Sequence, residues 1–197
     1  MSLDHTKLAK HIGGIAHPFR AFLAATAVVC ALTFAVTLGD GPAAPPGAAA
    51  SPTAQAAGKA KRARTIARME EGIRQCANSH REAAGLRPLA TGAGISHAAR
   101  FHAQSMSKGG YFDHIDGRGR SPGDRIAIFA GRGAFSMTGE NIAAGHRGAR
   151  AACRSWMRSP SHHANILTPG YTHIGAGFAS GGRYRRYFVM DLGRAAG

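Results

Sequence analysis

The sequence predicts an α+β fold in which helices cover a small antiparallel sheet. Helical patterns fill the earlier part of residues 59–197, and two strand patterns joined by a glycine-rich hairpin follow them. Three segments of different composition precede this domain: a basic region (1–20), an apolar segment (21–38) and an Ala/Pro-rich linker (39–58). The 197 residues are therefore expected to form one domain of ordinary size behind an N-terminal extension.

The apolar segment 21–38 has no charged side chain and follows Lys7, Lys10 and Arg20. Its length lies between that of a long signal-peptide core and that of a short membrane span. Positive charge ahead of it predicts that the N-terminus stays inside and the rest is exported. Ala54-Gln55-Ala56 has the form of a cleavage site but lies far from the apolar core, so a removed signal peptide and a retained membrane anchor both stay open. Residues 39–58 can bury little apolar surface and are expected to be a disordered linker.

Two long helices are expected first. In the segment 59–84, apolar residues recur every three or four positions, and Gly85 and Pro88 end the helix. In the segment 95–106, His102 shares an apolar face with Ile95 and Met106. A histidine on such a face is more often a packed core residue than a ligand, and His102 is assigned to the core.

Shorter elements follow. Residues 111–114 read as an extended segment, and Ser121 is placed to cap a short helix anchored by Ile126 and Phe129. Residues 148–158 have the clearest amphipathic pattern. Ser159 is then expected to cap the next helix through its side chain, with His162 at the third helical position.

Two strands, 173–179 and 184–192, are expected to pair through a hairpin loop at 180–183. In the second strand, Phe188, Met190 and Leu192 alternate with Tyr187, Val189 and Asp191. In the first strand, Gly175 and Gly177 suit a close approach by another backbone.

The composition favours anionic partners. The formal net charge is +15, and residues 57–197 contain 22 Lys/Arg against 8 Asp/Glu. The arginines are scattered, no nucleic-acid motif is present, and four Tyr and one Trp give little stacking surface, so no nucleic-acid partner is expected. The metalloprotease motif H-E-x-x-H and the hydrolase motif G-x-S-x-G are also missing from the sequence.

Five motifs occur in a characteristic order within residues 65–193, between positions 112 and 177: Phe112-Asp113-His114, Pro122-Gly123-Asp124-Arg125, Gly139 to Ala143, Trp156 to Leu167, and His173 to Gly177. In this order they resemble the cysteine-rich secretory, antigen 5 and pathogenesis-related (CAP) proteins, in particular the bacterial SCP-like extracellular branch. The resemblance implies a three-layer α-β-α sandwich. It also implies an extracellular protein, either secreted or anchored to the outer face of the cytoplasmic membrane.

The resemblance further implies a central cavity. By motif match the cavity is lined by His114, Glu140 and His162, while Ser159 stands where eukaryotic members carry a second glutamate. Two imidazoles and one carboxylate suit Zn²⁺, so His114, His162 and Glu140 are candidate metal ligands. The alternative is a hydrogen-bonded histidine–glutamate network that joins loops.

The expected function is a monomeric, non-enzymatic binding module for a lipid, a cell-wall component or an extracellular protein, with contact to the membrane possible through residues 21–38. The alternative is a metal-dependent hydrolase that uses the same residues. A Ser159–His162–Glu140 triad can be drawn, but helix capping already explains Ser159.

Export leaves Cys76 and Cys153 of the three cysteines, since Cys30 lies in the apolar segment. They are expected either to form a disulfide or to pack as two small buried thiols.

Overall fold

The computed structural model describes residues 51–197. The predicted segments 1–20 and 21–38, with residues 39–50 of the linker, lie outside this range. No helix within residues 51–197 is both long enough and apolar enough to cross a membrane.

Five helices and four strands are formed by these residues. In chain order they are α1 (Pro52–Ala83), β1 (Ala90–Thr91), α2 (Ala93–Gly109), α3 (Pro122–Ala130), β2 (Phe135–Ala144), α4 (Ala149–Arg158), α5 (Pro160–Leu167), β3 (His173–Ser180) and β4 (Arg186–Ala195). The sheet order is β1-β3-β4-β2. The long strands pair antiparallel, while the two residues of β1 pair parallel with β3.

Helices cover both faces of the sheet, which confirms the predicted three-layer sandwich. On one face, Ile73 of α1, Trp156 of α4 and Ile166 of α5 pack with Phe188 and Met190 of β4. On the other face, residues of α2 pack against the alternate side chains of β4: Ala99, Ala103 and Met106 contact the cluster of Tyr187 and Val189. Because alternate side chains of β4 point to opposite faces of the sheet, they belong to two separate hydrophobic cores.

Several local predictions are confirmed. His102 is fully buried on the apolar face of α2, beside Ile95 and Met106. Ser121 caps α3, and Ser121 and Asp124 exchange side-chain-to-backbone hydrogen bonds as a capping box. Gly148 precedes α4, whose buried face includes Cys153 and Trp156.

Other predictions differ from the structure. Helix α1 begins at Pro52, so residues 52–58 are helical rather than part of a disordered linker. Phe129 was expected to anchor α3, but 36% of its surface is exposed and Ile126 alone of the pair is buried. The sequence predicted strands only at 173–179 and 184–192, whereas the segment around Glu140 forms the further strand β2. Its central run Glu140–Asn141 is polar, which hid the strand from a pattern based on apolar residues.

A fully buried arginine ties α1 to the loop after α5. Arg81 donates hydrogen bonds to the carbonyl oxygens of Arg87 (3.0 Å), Ile166 (2.9 Å) and Thr168 (2.8 Å). The carbonyls of Arg87 and Thr168 lie in loops beyond helix ends, and that of Ile166 lies in the last turn of α5. None of them has an intrahelical N–H donor. The guanidinium therefore supplies hydrogen-bond donors to backbone carbonyls beyond the end of α1 and at the end of α5.

The sulfur atoms of Cys76 and Cys153 form a disulfide between α1 and α4. Their Cα atoms are 6.2 Å apart and the bridge spans 77 residues of sequence. This is one of the two states left open by the sequence. On the loop-entropy account a bridge of this span stabilises the fold by about 4 kcal/mol.

The glycines of β3 lie against the backbone of α2, as their spacing predicted. A Cβ on Gly175 would stand 2.7 Å from the backbone nitrogen of Ser96, and one on Gly177 would stand 2.6 Å from that of Arg100. The backbone of α2 cannot give way at either position without moving the whole helical layer. Glycine at these positions therefore sets the distance between α2 and the sheet.

We expect Gly177→Ala to lower the free energy of unfolding by about 3 kcal/mol, because the added methyl overlaps main-chain atoms of α2. The matched control is Gly117→Ala in the loop before α3, where no atom lies within 4 Å of the added Cβ. That change should stay within about 0.5 kcal/mol. Chemical denaturation measures both, and equal effects would contradict the close-packing account.

Candidate functional site

The candidate site lies along the free edge of the sheet. Strand β2 is the outermost strand, and it pairs only with β4. In that ladder Glu140 stands directly opposite Asp191. Residues that face each other across an antiparallel ladder lie on the same face, so these two acidic side chains point into the layer of α2 and α3.

Glu140 is the hub of the site. Its side chain is 1% exposed, and its two carboxylate oxygens have different partners. Oε1 accepts a hydrogen bond at 2.7 Å from Nδ1 of His114, and Oε2 accepts one at 2.6 Å from the guanidinium of Arg125. Arg125 is itself fully buried and also donates to the carbonyl oxygens of His114 and Arg120, at 2.9 and 2.8 Å. One ion pair thus joins β2, α3 and the loop that carries His114.

His114 lies at the surface end of this network. Its side chain is about half exposed, at 48%. The hydrogen bond from Nδ1 to Glu140 raises the pKa of His114, because the carboxylate favours the imidazolium form. With Nδ1 engaged by Glu140, Nε2 is the ring nitrogen left for a ligand.

His162 approaches from the other helical layer, on the first turn of α5. Its Nδ1 lies 2.7 Å from Oγ of Ser159. Ser159 occupies the N-cap position, as predicted, but its side chain makes no capping hydrogen bond to the helix backbone. The prediction that Ser159 acts through a capping side chain is therefore wrong, because its hydroxyl orients the imidazole instead.

Burial lowers the pKa of His162, and the nearby charge of His114 lowers it further. The two rings thus have opposite tendencies: His114 is biased toward the protonated form and His162 toward the neutral form. A neutral imidazole is the form that binds a metal.

Two asparagines fasten α5 to the free edge of β2. Asn141 donates from Nδ2 to the carbonyl oxygen of His162 at 2.9 Å. Asn165 donates to the carbonyl oxygen of Glu140 at 3.2 Å and to Oδ1 of Asn141 at 3.0 Å. These contacts replace the missing neighbouring strand and fix His162 relative to Glu140.

His102 of α2 contacts the segment that carries His114 and lies close to Glu140. Its Nε2 lies 2.9 Å from the carbonyl oxygen of Asp113 and 3.8 Å from Oε2 of Glu140. Burial lowers the pKa of His102 more than Glu140 raises it. His102 therefore acts as a neutral donor that holds the Asp113–His114 segment, and this agrees with its assignment to the core.

Sequence reasoning missed two members of the site, Arg125 and Asp191. Arg125 belongs to the Pro122–Arg125 motif, and that membership was the sequence signal that could have pointed to its place in the site. Asp191 is fully buried, and neither of its carboxylate oxygens accepts a hydrogen bond from residues 51–197. Burial and the neighbouring Glu140 raise the pKa of Asp191 well above its ordinary value. The signal for Asp191 was an acidic residue within an otherwise apolar strand.

The contacts of Glu140 differ from those expected of a metal ligand, since its oxygens are taken by His114 and Arg125. Within residues 51–197, three His, Cys, Asp or Glu ligand atoms come within 4.8 Å of one another only at Cys76, His80 and Cys153. The donor set of the candidate site is therefore two imidazoles, with Glu140 and Ser159 orienting them.

We expect Asp191→Asn to become more stable than the wild-type protein as pH rises from 4 to 7. The native state keeps the Asp191 proton that the unfolded chain releases above about pH 3.9, so wild-type stability falls as pH rises toward the folded pKa. The amide cannot ionise, so the variant lacks this loss, and its stability relative to the wild type should increase as pH rises. Denaturant unfolding at both pH values measures it, and a pH-independent difference would contradict a protonated Asp191.

Comparisons with known proteins agree with these motifs and this fold. The chain is 34% identical over 118 residues to the uncharacterized protein YkwD of Bacillus subtilis, which covers 60% of this chain and 45% of that protein. It is 30% identical over 123 residues to the uncharacterized membrane protein YlbC of the same organism, covering 62% of this chain and 34% of that protein. The chain thus spans less than half the length of these relatives.

Solved structures show the same fold. An extracellular SCP-domain protein from Bacillus anthracis superposes with a TM-score of 0.58 at 28% identity, covering 66% of this chain and 41% of that one. An outer surface protein from Borrelia burgdorferi gives a TM-score of 0.56 at 21% identity, covering 61% of this chain and 87% of that one. The profile of the cysteine-rich secretory protein family, CAP, matches residues 75–192. This chain belongs to the CAP family.

Proposed function

We propose that the protein is an exported binding module whose two histidines, His114 and His162, hold a Zn²⁺ ion at the mouth of the cleft. The observation that carries this proposal is the pair of oriented rings. Nδ1 of each imidazole lies 2.7 Å from an oxygen, of Glu140 for His114 and of Ser159 for His162. Partners of this kind fix the ring orientation and leave Nε2 for the metal.

Two protein ligands make an open site. The remaining coordination positions would belong to water or to a bound ligand, and the ion would supply Lewis acidity and positive charge to that ligand. The domain around this site carries a net positive charge. Such a site therefore suits an anionic component of the cell envelope, either a lipid headgroup or a wall fragment. An extracellular location is supported by the family and by the described extracellular relative.

The observed contacts support a binding role over a hydrolytic one. Ser159 and His162 are within hydrogen-bond reach, as a nucleophile and base would be. Within residues 51–197 the Glu140 carboxylate bonds His114 and Arg125 and has the neutral His102 3.8 Å away, and it makes no ion pair with His162. The Ser159–His162–Glu140 triad therefore lacks its acid, and the serine hydroxyl is left with an orienting role.

We expect the full chain to bind about one equivalent of Zn²⁺ by calorimetry at pH 7.5. His114→Ala and His162→Ala should each abolish saturable binding at this site, and Ser159→Ala should weaken it about tenfold because the ring loses its orienting partner. Affinity should also rise with pH, since His114 must lose a proton that Glu140 helps it to keep.

His163→Ala is the matched control, because His163 is the next residue of α5 and the ring that contacts Oγ of Ser159 is that of His162. It should leave the titration unchanged. A wild-type chain that takes up no Zn²⁺, or one that binds equally well without His114 and His162, would contradict the proposed metal site.

A further inference from the structure

A second group of metal-ligating side chains lies between α1 and α4, at the disulfide. Cys76 and His80 are four residues apart on α1, which places both on one face of that helix. Cys153 meets them from α4. The two sulfur atoms and a ring nitrogen of His80 all lie within 4.8 Å of one another.

This cluster is open to solvent on one side. Cys153 is buried, Cys76 is half-buried and His80 is exposed. All three line a cavity of about 350 Å³. Two arginines of α4, Arg150 and Arg154, line the same cavity. The disulfide is therefore within reach of a small reductant and of a metal ion.

We propose that, when the disulfide is reduced, Cys76, Cys153 and His80 form a binding site for a thiophilic divalent cation such as Zn²⁺. The chemistry requires a reductant, which we assign to the class of dithiols. Two electrons and two protons pass from the dithiol to the protein, the S–S bond breaks, and the dithiol becomes a disulfide. The cation then displaces the two thiol protons and binds two thiolates and one imidazole.

The donor set and the positions of these residues favour such a site. Two thiolates and one imidazole are a frequent zinc ligand set, and the fourth position stays open to water. Zinc–sulfur bonds of about 2.3 Å separate two tetrahedral thiolates by roughly 3.8 Å. Because the Cα atoms are 6.2 Å apart, that separation needs side-chain rotation and little movement of the helices.

Electrostatics also favour the thiolate form of the reduced cysteines. The guanidinium groups of Arg150 and Arg154 share the cavity with the sulfurs, and neighbouring cations stabilise thiolates. Two thiolates neutralise a divalent cation, so the bound site adds no net charge to an already basic domain. In the oxidised protein the sulfurs are bonded to each other and cannot act as thiolate ligands. Metal binding at this place is thus governed by the redox state.

The test is a Co²⁺ titration of the full chain under anaerobic conditions, with and without prior reduction by a dithiol that is then removed. We expect about one equivalent of Co²⁺ to produce a thiolate-to-cobalt charge-transfer band in the near ultraviolet. The band should appear in the reduced chain only, and Cys76→Ser should remove it. His80→Ala should weaken binding at least about tenfold, the lower end of the loss seen when even an outer partner is removed.

Two controls separate this site from the cleft. His97→Ala changes another exposed helical histidine and should have no effect on the band. His162→Ala should likewise leave it intact, so that failure of the cleft site and failure of this site are distinguishable. Near-ultraviolet circular dichroism of the single tryptophan, Trp156, reports whether the reduced chain stays folded.

Three results would overturn the proposal. They are a folded, reduced chain without the band, a band that survives unchanged in His80→Ala, and a reduced chain that loses its tryptophan signal and does not regain it with Co²⁺. The last counts against the proposal because the site depends on α1 and α4 remaining packed.

Discussion

The buried ion pair between Glu140 and Arg125 is the interaction on which the rest of the site depends. Removing two charges from water is unfavourable unless both are well hydrogen-bonded. Here the carboxylate has His114 and Arg125 as partners, and Arg125 also serves the carbonyl oxygens of His114 and Arg120. Loss of either member would leave the other buried without compensation, and it would release the loop that carries His114.

The edge position of β2 explains how α5 reaches the site. A neighbouring strand would occupy the space beside Glu140 and Asn141. Instead Asn165 of α5 donates to the carbonyl oxygen of Glu140, and Asn141 of β2 donates to that of His162, so α5 is held at this edge. His114 reaches the same edge from the α2–α3 side. The site therefore lies where the two helical layers meet around the β2 edge of the sheet.

The two histidines differ in how readily they bind a proton, because their surroundings differ. His114 is half exposed and bonded to a carboxylate, which raises its pKa, whereas burial lowers the pKa of His162. The His114 ring therefore keeps its proton to higher pH than the His162 ring, so a metal competes with a proton more strongly at His114. Asp191, held opposite Glu140 in an apolar strand, adds a second carboxyl whose burial raises its pKa. The three-layer core thus determines the protonation states of the site as well as its geometry.

Much of this was predictable from the sequence, and the misses have physical causes. Periodicity located α1, α2, α4, β3 and β4, because their apolar residues face a core. It missed β2, whose polar residues are held by side chains distant in sequence, and it misplaced Phe129, which is apolar but partly exposed. Motif resemblance identified His114, Glu140 and His162, but not the roles of Arg125 and Asp191. Those roles depend on pairing across the ladder and between layers, which spacing along the chain does not encode.

The most direct test of the central role of Glu140 is the titration of His114 by NMR of its imidazole, in the wild-type protein and in Glu140→Gln. If Glu140 is the hub, the pKa of His114 is above about 6.5 in the wild type and falls toward that ordinary value in the variant. The Nδ1 proton signal that reports the hydrogen bond to the carboxylate should disappear with it. An unchanged pKa in a variant that remains folded would show that the orientation of His114 does not depend on Glu140, and would contradict the account.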